Sequence, residues 1–205
     1  MNPSAPALQA TFGNAIGRVV EARGETIVTV AKGAVRDVLR WLRDTTGQEY
    51  NYLVDVTAVE YRDRERALEV VWNLRSLGSR QDLRIKVELA PRGELEVPSV
   101  TDLWAGANWL EREVFDMFGV RFTGHPDLRR ILMWETYAEG YPLRKDFPLR
   151  GRFSRSEQVR QALNVNPEGH YSLEELAIAE SYDELPAEMR DRLARGQRDR
   201  IPNSE

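Results

Sequence analysis

Cysteine is absent from the 205 residues, and histidine is nearly so, with only His125 and His170 present. Without thiols the chain can form no disulfide, carry no catalytic cysteine and offer no thiolate to an iron–sulfur cluster or structural zinc. Two imidazoles do not furnish a histidine-rich metal site. Lysine is also scarce, with Lys32, Lys86 and Lys145 beside 26 arginines. Arginine suits planar, bidentate, partly buried contacts, as on a surface that is to be covered, although GC-rich codon usage accounts for most of the excess. A net charge of −4 lacks the basic surface that a general nucleic-acid binder needs. No run approaches the ~18 apolar residues of a membrane-spanning helix. Residues 1–17 carry no charged side chain, but without a basic start and a continuous apolar core they do not fit a signal peptide. The chain is therefore expected in the cytoplasm, with any membrane contact made through a partner. No Gly-rich phosphate loop and no GxSxG motif occurs.

What is present reads as an α+β protein: a mixed, mostly antiparallel sheet packed with helices, followed by an extended C-terminal arm. A β-branched run at Ile27–Ala31 follows the Gly24 turn and predicts a hairpin with Val19–Ala22. Residues 33–46 predict a helix, because Val35, Val38, Leu39 and Leu42 fall at i, i+3, i+4 and i+7, and Gly47 stops it. Alternation then predicts strands over 50–61, 67–75 and 83–89, the last with Leu83, Ile85, Val87 and Leu89 on one face and Arg84, Lys86 and Glu88 on the other. Their connections are too short for crossover helices, which argues against a Rossmann-like parallel sheet. A further helix is expected from Asp102 to Phe118, with Thr101 as its N-cap and Gly119 as its stop. The domain is drawn at 1–150, and 151–205 as an arm wrapping partner subunits. That arm holds 8 basic and 11 acidic side chains, with helical candidates near 155–163, 172–180 and 186–195 that lack a wide apolar face.

The helix ending at Phe118 carries the first chemical signal. On a wheel of ~100° per residue, Leu103, Trp104, Ala107, Val114, Phe115 and Phe118 cluster around Glu111, while Arg112, Glu113 and Asp116 share the opposite face. A carboxylate in mid-apolar face is costly unless it is paired and hydrogen-bonded. Glu111 therefore reads either as a proton-transfer carboxylate or as a structural ion pair or cap, and the structural reading is the expectation, with Arg129, Arg130 or Arg144 as partner. Arg112 and Asp116, spaced i, i+4, are expected to pair as part of a solvated or interface-facing charged strip with Glu113.

The loop after this helix is the second signal. GHPDLRRILM (Gly124–Met133) and GYPLRKDFPL (Gly140–Leu149) combine prolines, glycines and clustered charge into a stiff path without regular structure. His125, Asp127, Arg129, Arg130, Arg144, Lys145 and Asp146, set among Leu and Phe anchors, have the chemistry of a partner interface and, with Glu113, are its candidate residues. Asp127, Glu135, Glu139 and Asp146 balance the four cations of the loop, so it is a poor phosphate groove. His125 and Asp127 at i, i+2 have no further ligands nearby to hold a metal.

The run NWLEREVFDMFGVRFTGHPDLRRILM, Asn108 to Met133, resembles the signature of the 30 kDa subunit of respiratory complex I. GYPLRKDFPL resembles the closing motif of that family, with Tyr141 where His is more usual, and VPSVTDLW (Val97–Trp104) and LVDVTAVEY (Leu53–Tyr61) resemble it as well. The resemblance is tight over 97–149 and does not reach the arm. It implies a 30 kDa-type member of the peripheral arm of a bacterial proton-translocating NADH:quinone oxidoreductase, on the cytoplasmic side of the membrane. Such a chain would pack on the 49 kDa-type subunit near the quinone site, beside cluster-bearing subunits. It would hold no cofactor or active site of its own, because FMN and the clusters lie in partner subunits. The alternative is the equivalent subunit of a membrane-bound hydrogenase-type complex.

Overall fold

The computed structural model describes residues 2–61, 68–90, 94–149 and 151–152. The expected arm at 151–205, with its three helical candidates, lies outside the described residues except for Gly151 and Arg152. Element order is α1 (Ser4–Phe12), β1 (Ile16–Ala22), β2 (Glu25–Val30), α2 (Val35–Asp44), β3 (Tyr52–Glu60), β4 (Leu68–Ser76), β5 (Gln81–Leu89), β6 (Glu96–Pro98), α3 (Ala107–Phe118) and β7 (Arg121–Thr123). Five strands form one sheet in the order β1-β2-β5-β4-β3, and β6 and β7 form a separate two-stranded parallel pair.

The main sheet is mixed and mostly antiparallel, as the alternation implied. β1–β2, β4–β5 and β3–β4 are antiparallel, and only β2–β5 is parallel. That one parallel pairing uses α2, β3 and β4 as its crossover. The β1–β2 turn places Arg23 at φ 54° and Gly24 at φ 83°, the two left-handed residues that a type I′ hairpin requires. One row of the sheet, Val28, Ile85, Trp72 and Val56, is in lateral register and buried. Val35, Val38, Leu39 and Leu42 of α2 join it in one core with Leu8 of α1 and Val114, Met117 and Phe118 of α3. The other row is polar, with Lys86 and Glu69 2.9 Å apart and Arg84 Nε donating to Asn73 at 2.8 Å.

Three sequence expectations need correction. α1 was not foreseen, because its nine residues do not segregate apolar from polar side chains. It is held by position: Asn2 Nδ2 donates to the Tyr50 hydroxyl at 2.7 Å and Ser4 Oγ meets the same hydroxyl at 2.9 Å. β4 extends through Ser76, and β5 begins at Gln81 rather than residue 83. The helix expected from Asp102 begins only at Ala107, with Gly106 rather than Thr101 at its N-cap. Residues 101–106 form successive turns instead, because Val100 O accepts from the Leu103 and Trp104 amides and Trp104 O accepts from the Ala107 amide. Leu103 and Trp104 are buried, but from these turns rather than from a helix.

Candidate functional site

α3 is the axis of the site. Its last four carbonyls have no partner within the helix, and each finds one outside it. Phe115 O accepts from the Gly119 amide at 2.8 Å and Met117 O from the Leu143 amide at 3.1 Å. Asp116 O accepts from Arg130 Nη1 at 3.2 Å, and Phe118 O from Arg144 Nε at 2.6 Å. Two guanidinium groups thus sit at the negative end of the helix dipole. Gly119 ends the helix at φ 74°, where a Cβ would lie 2.5 Å from the Tyr141 ring and 2.8 Å from the Arg144 guanidinium. Only glycine allows this close approach of the loop to the helix end.

Asp116 organises the first half of the loop. It is fully buried; Oδ1 accepts from Arg130 Nη1 at 2.6 Å, and Oδ2 accepts from the amides of Ile131, Leu132 and Met133 at 3.0, 2.7 and 2.8 Å. Arg130 stacks on Tyr137 at 5.3 Å and on Tyr141 at 5.4 Å, and Arg144 stacks on Tyr141 at 4.5 Å. Arg112 donates from Nε to Arg129 O and from Nη2 to Arg130 O, each at 3.2 Å, while its guanidinium lies 5.6 Å from the Trp109 ring. His125 Nδ1 accepts the Asp127 amide at 3.0 Å, which assigns the ring proton to Nε2, 3.1 Å from Asn108 O. The second half of the loop is tied down where Lys145 N donates to Glu60 at 2.5 Å and Arg152 N donates to Glu139 at 2.6 Å.

Glu111 faces the other way. It is buried, as the wheel required, but its partner is not an arginine: Oε1 accepts from the Val100 amide and Oε2 meets Ser99 Oγ, both at 2.7 Å. The expected structural ion pair for Glu111 is thus a hydrogen-bonded clasp on the turn before the helix. Arg129, Arg130 and Arg144 are all engaged at the opposite side of α3. Burial pushes the Glu111 carboxyl up to about 7, against the opposing pull of the Val100 amide and the Ser99 hydroxyl.

Arg112 and Asp116 are corrected as well. They do not pair with each other on a solvated strip; both are buried beneath residues 125–133, Arg112 on backbone carbonyls and Asp116 on Arg130. A helical wheel marks them as a polar face and cannot show that a loop covers it. Of the remaining candidates, Glu113, Asp127, Arg129, Lys145 and Asp146 are exposed, and His125, Arg130 and Arg144 are half-buried. Arg129 pairs with Asp127 at 3.0 Å on the surface.

Ser99, Tyr137 and Trp109 were missed. Trp109 had a readable signal, since it lies opposite Glu111 on the wheel as an apolar residue on the charged face. It is 63% exposed. Leu132, Leu143 and Leu149 of the loop are also exposed, so the segment that turns Arg130 and Arg144 toward α3 presents large apolar side chains outward.

Comparison with known proteins now bears on this arrangement. Residues 28–153 match the family described as the 30 kDa subunit of respiratory-chain NADH dehydrogenase. The C-type subunit of NADH-quinone oxidoreductase from Geobacter sulfurreducens is 46% identical over 145 residues, covering 70% of this chain and 87% of its own length. Its counterpart of the same name in Rhodobacter capsulatus is 42% identical over 155 residues, covering 74% of this chain and 76% of its own. Among solved structures, the trypsin-resistant fragment (1–134) of Nqo5 superposes with a TM-score of 0.54 at 27% identity, over 61% of this chain and 98% of the fragment. A chain of the membrane-bound sulfane sulfur reductase, an archaeal respiratory membrane complex, has the same fold, with a TM-score of 0.55 at 22% identity over 71% of this chain and 84% of that one.

Proposed function

The chain belongs to the family of the 30 kDa subunit of respiratory-chain NADH dehydrogenase, and from that premise we propose that it serves complex I as a structural and assembly subunit. It docks through the outer face of α3 and the loop at 125–149 on the 49 kDa-type subunit of the peripheral arm, near the quinone site. Electron carriers belong to the partner subunits: FMN and iron–sulfur clusters pass electrons from NADH to quinone, and this chain shapes and stabilises the assembly. It sits at the cytoplasmic side of the bacterial membrane, attached through those partners. No helix among the described residues is long and apolar enough to cross a membrane.

One observation carries this reading. The loop is braced from inside by Asp116, Arg112, Arg130 and Arg144, while Trp109, Leu132, Leu143 and Leu149 face solvent. Rigid backbone with outward aromatic and aliphatic anchors is the anatomy of an interface rather than of a substrate pocket. His125 is occupied by two backbone groups, which suits positioning the loop rather than carrying protons. The exposed members of the charged set, Glu113, Asp127, Arg129, Lys145 and Asp146, form the polar rim. Arg130 and Arg144 serve the interface indirectly, by holding its shape.

The test is purification of the tagged full chain with its native assembly from membranes. Flavin- and cluster-bearing chains must accompany it, and their absence sinks the reading. The alternative, an equivalent subunit of a membrane-bound hydrogenase-type complex, shares the fold and is separated by the same sample: an NADH-binding flavoprotein belongs only to the first.

A further inference from the structure

We propose that the outer face of the main sheet carries a second docking site, at a bulge in β3, which takes an arginine side chain from a neighbouring protein. The site lies in the motif at Leu53–Tyr61, to which docking through α3 assigns no role. β3 pairs regularly with β4 except at one point: Leu53 faces Leu74 and Asp55 faces Asn73, so Val54 is an extra residue. In a regular strand, positions 52 and 55 project from opposite faces. The bulge cancels that alternation. Leu53 and Leu74 pack toward the core, so Tyr52, opposite Arg75, and Asp55, opposite Asn73, share the outer face.

The two residues line one groove of about 560 Å³. Its charges are three carboxylates, Glu25, Asp55 and Asp82, against two guanidiniums, Arg75 and Arg84. Both guanidiniums are already paired. Arg75 donates to Asp82 through two bonds at 2.6 and 2.7 Å, and Arg84 lies 2.8 Å from Glu25 while its Nε donates to Asn73 at 2.8 Å. Asp55 is half-buried, and among the described residues its side chain has no hydrogen bond or ion pair. A carboxylate partly withdrawn from water, in a groove whose own cations are engaged, is a socket for a cation from outside. Tyr52 is 50% exposed and enters no ring stack among the described residues, and Val54 is 47% exposed. An aromatic ring and a carboxylate in one groove suit a guanidinium best. It lies flat on the ring and offers the carboxylate a planar pair of donors, as Arg75 already does to Asp82. The exposed Tyr52 and Val54 extend the site past a single cation, so the guanidinium belongs to a protein segment that covers them as well.

This groove shares no residue with the docking face of α3 and the loop, so its test is separate from that reading. The experiment titrates the purified full chain with three end-blocked tripeptides, Gly-Arg-Gly, Gly-Lys-Gly and Gly-citrulline-Gly, and follows backbone amides by NMR. The arginine peptide should give one saturable set of shifts, centred on residues 52–55, 73 and 82–84. Citrulline, which keeps the shape of arginine without its charge, should give none, and the lysine peptide should bind more weakly. Asp55→Asn keeps the size of the side chain and should weaken the arginine peptide by about tenfold, the worth of a hydrogen bond to an ionised group. A second measurement needs no variant: carbodiimide labelling with glycine ethyl ester, read by mass spectrometry, should modify Asp55 in the free chain and far less in the native assembly purified from membranes. Absence of saturable shifts, equal binding of the citrulline or lysine peptide, unchanged affinity in Asp55→Asn, or equal labelling in the two samples would each overturn the site.

Discussion

Two buried carboxylates stand five positions apart on α3, and their surroundings could hardly differ more. Asp116 is met by an arginine and three consecutive amides, and so fixes residues 130–133 to the helix. Glu111 is met by one hydroxyl and one amide on the turn before the helix. The first arrangement pairs its charge with a cation, and the second sets its carboxyl among neutral donors. The comparison shows that burial alone does not define the role of an acidic residue; the number and charge of its partners do.

The largest expected effect comes from breaking the well-partnered side. Asp116→Ala leaves Arg130 and three amides without their acceptor, and should lower the stability of the full chain by about 3–5 kcal/mol in urea unfolding. A loss no greater than that of a surface substitution would erase the contrast.

Titrating the under-partnered side should come next. Because the folded state raises the Glu111 pKa from its ordinary 4.5 to about 7, folding favours the protonated form. Its contribution is therefore complete below pH 4.5 and lost as pH rises through about 7, a decline on the order of 3 kcal/mol. Unfolding measured across that range should show this decline in the wild type, and Glu111→Gln should flatten it.

The end of the helix that both sides share gives two smaller tests. Gly119→Ala forces a non-glycine residue to φ 74° against the Tyr141 ring, for a loss of roughly 1–3 kcal/mol in thermal or urea unfolding. Arg144→Ala removes the bond to Phe118 O and the stack on Tyr141, and should cost the isolated chain about 1–2 kcal/mol in the same assay. An unchanged melting temperature for Arg144→Ala would return that residue to the outer interface.

Much of the contrast was legible in sequence, but only on one side. The 3.6-residue period placed Glu111 correctly in the apolar stripe, and strict alternation placed Leu83, Ile85, Val87 and Leu89 in the core. The same period assigned Arg112 and Asp116 to a polar face. Their burial depends on a loop whose path follows from tertiary bonds to Asp116, and no local pattern encodes those bonds. The identity of Glu111's partner escaped for a related reason: a serine hydroxyl and a backbone amide leave no charge pattern, so electrostatics pointed to an arginine. The family motif spans α3 and the start of the loop, and within it Trp109 is the exposed aromatic that the charge pattern did not single out.

The proposed docking face lies opposite Glu111, over the loop that Asp116 fixes, and Trp109 tests it most directly. Trp109→Ala removes a side chain that is 63% exposed and stacked only on Arg112 among the ring contacts described, so the chain alone should lose under about 1 kcal/mol. The decisive measurement is the amount of this variant that co-purifies with the flavin- and cluster-bearing chains from native membranes, relative to wild type at equal expression. The account predicts a folded chain that is largely missing from the complex; a folded variant recovered at the wild-type level would contradict it.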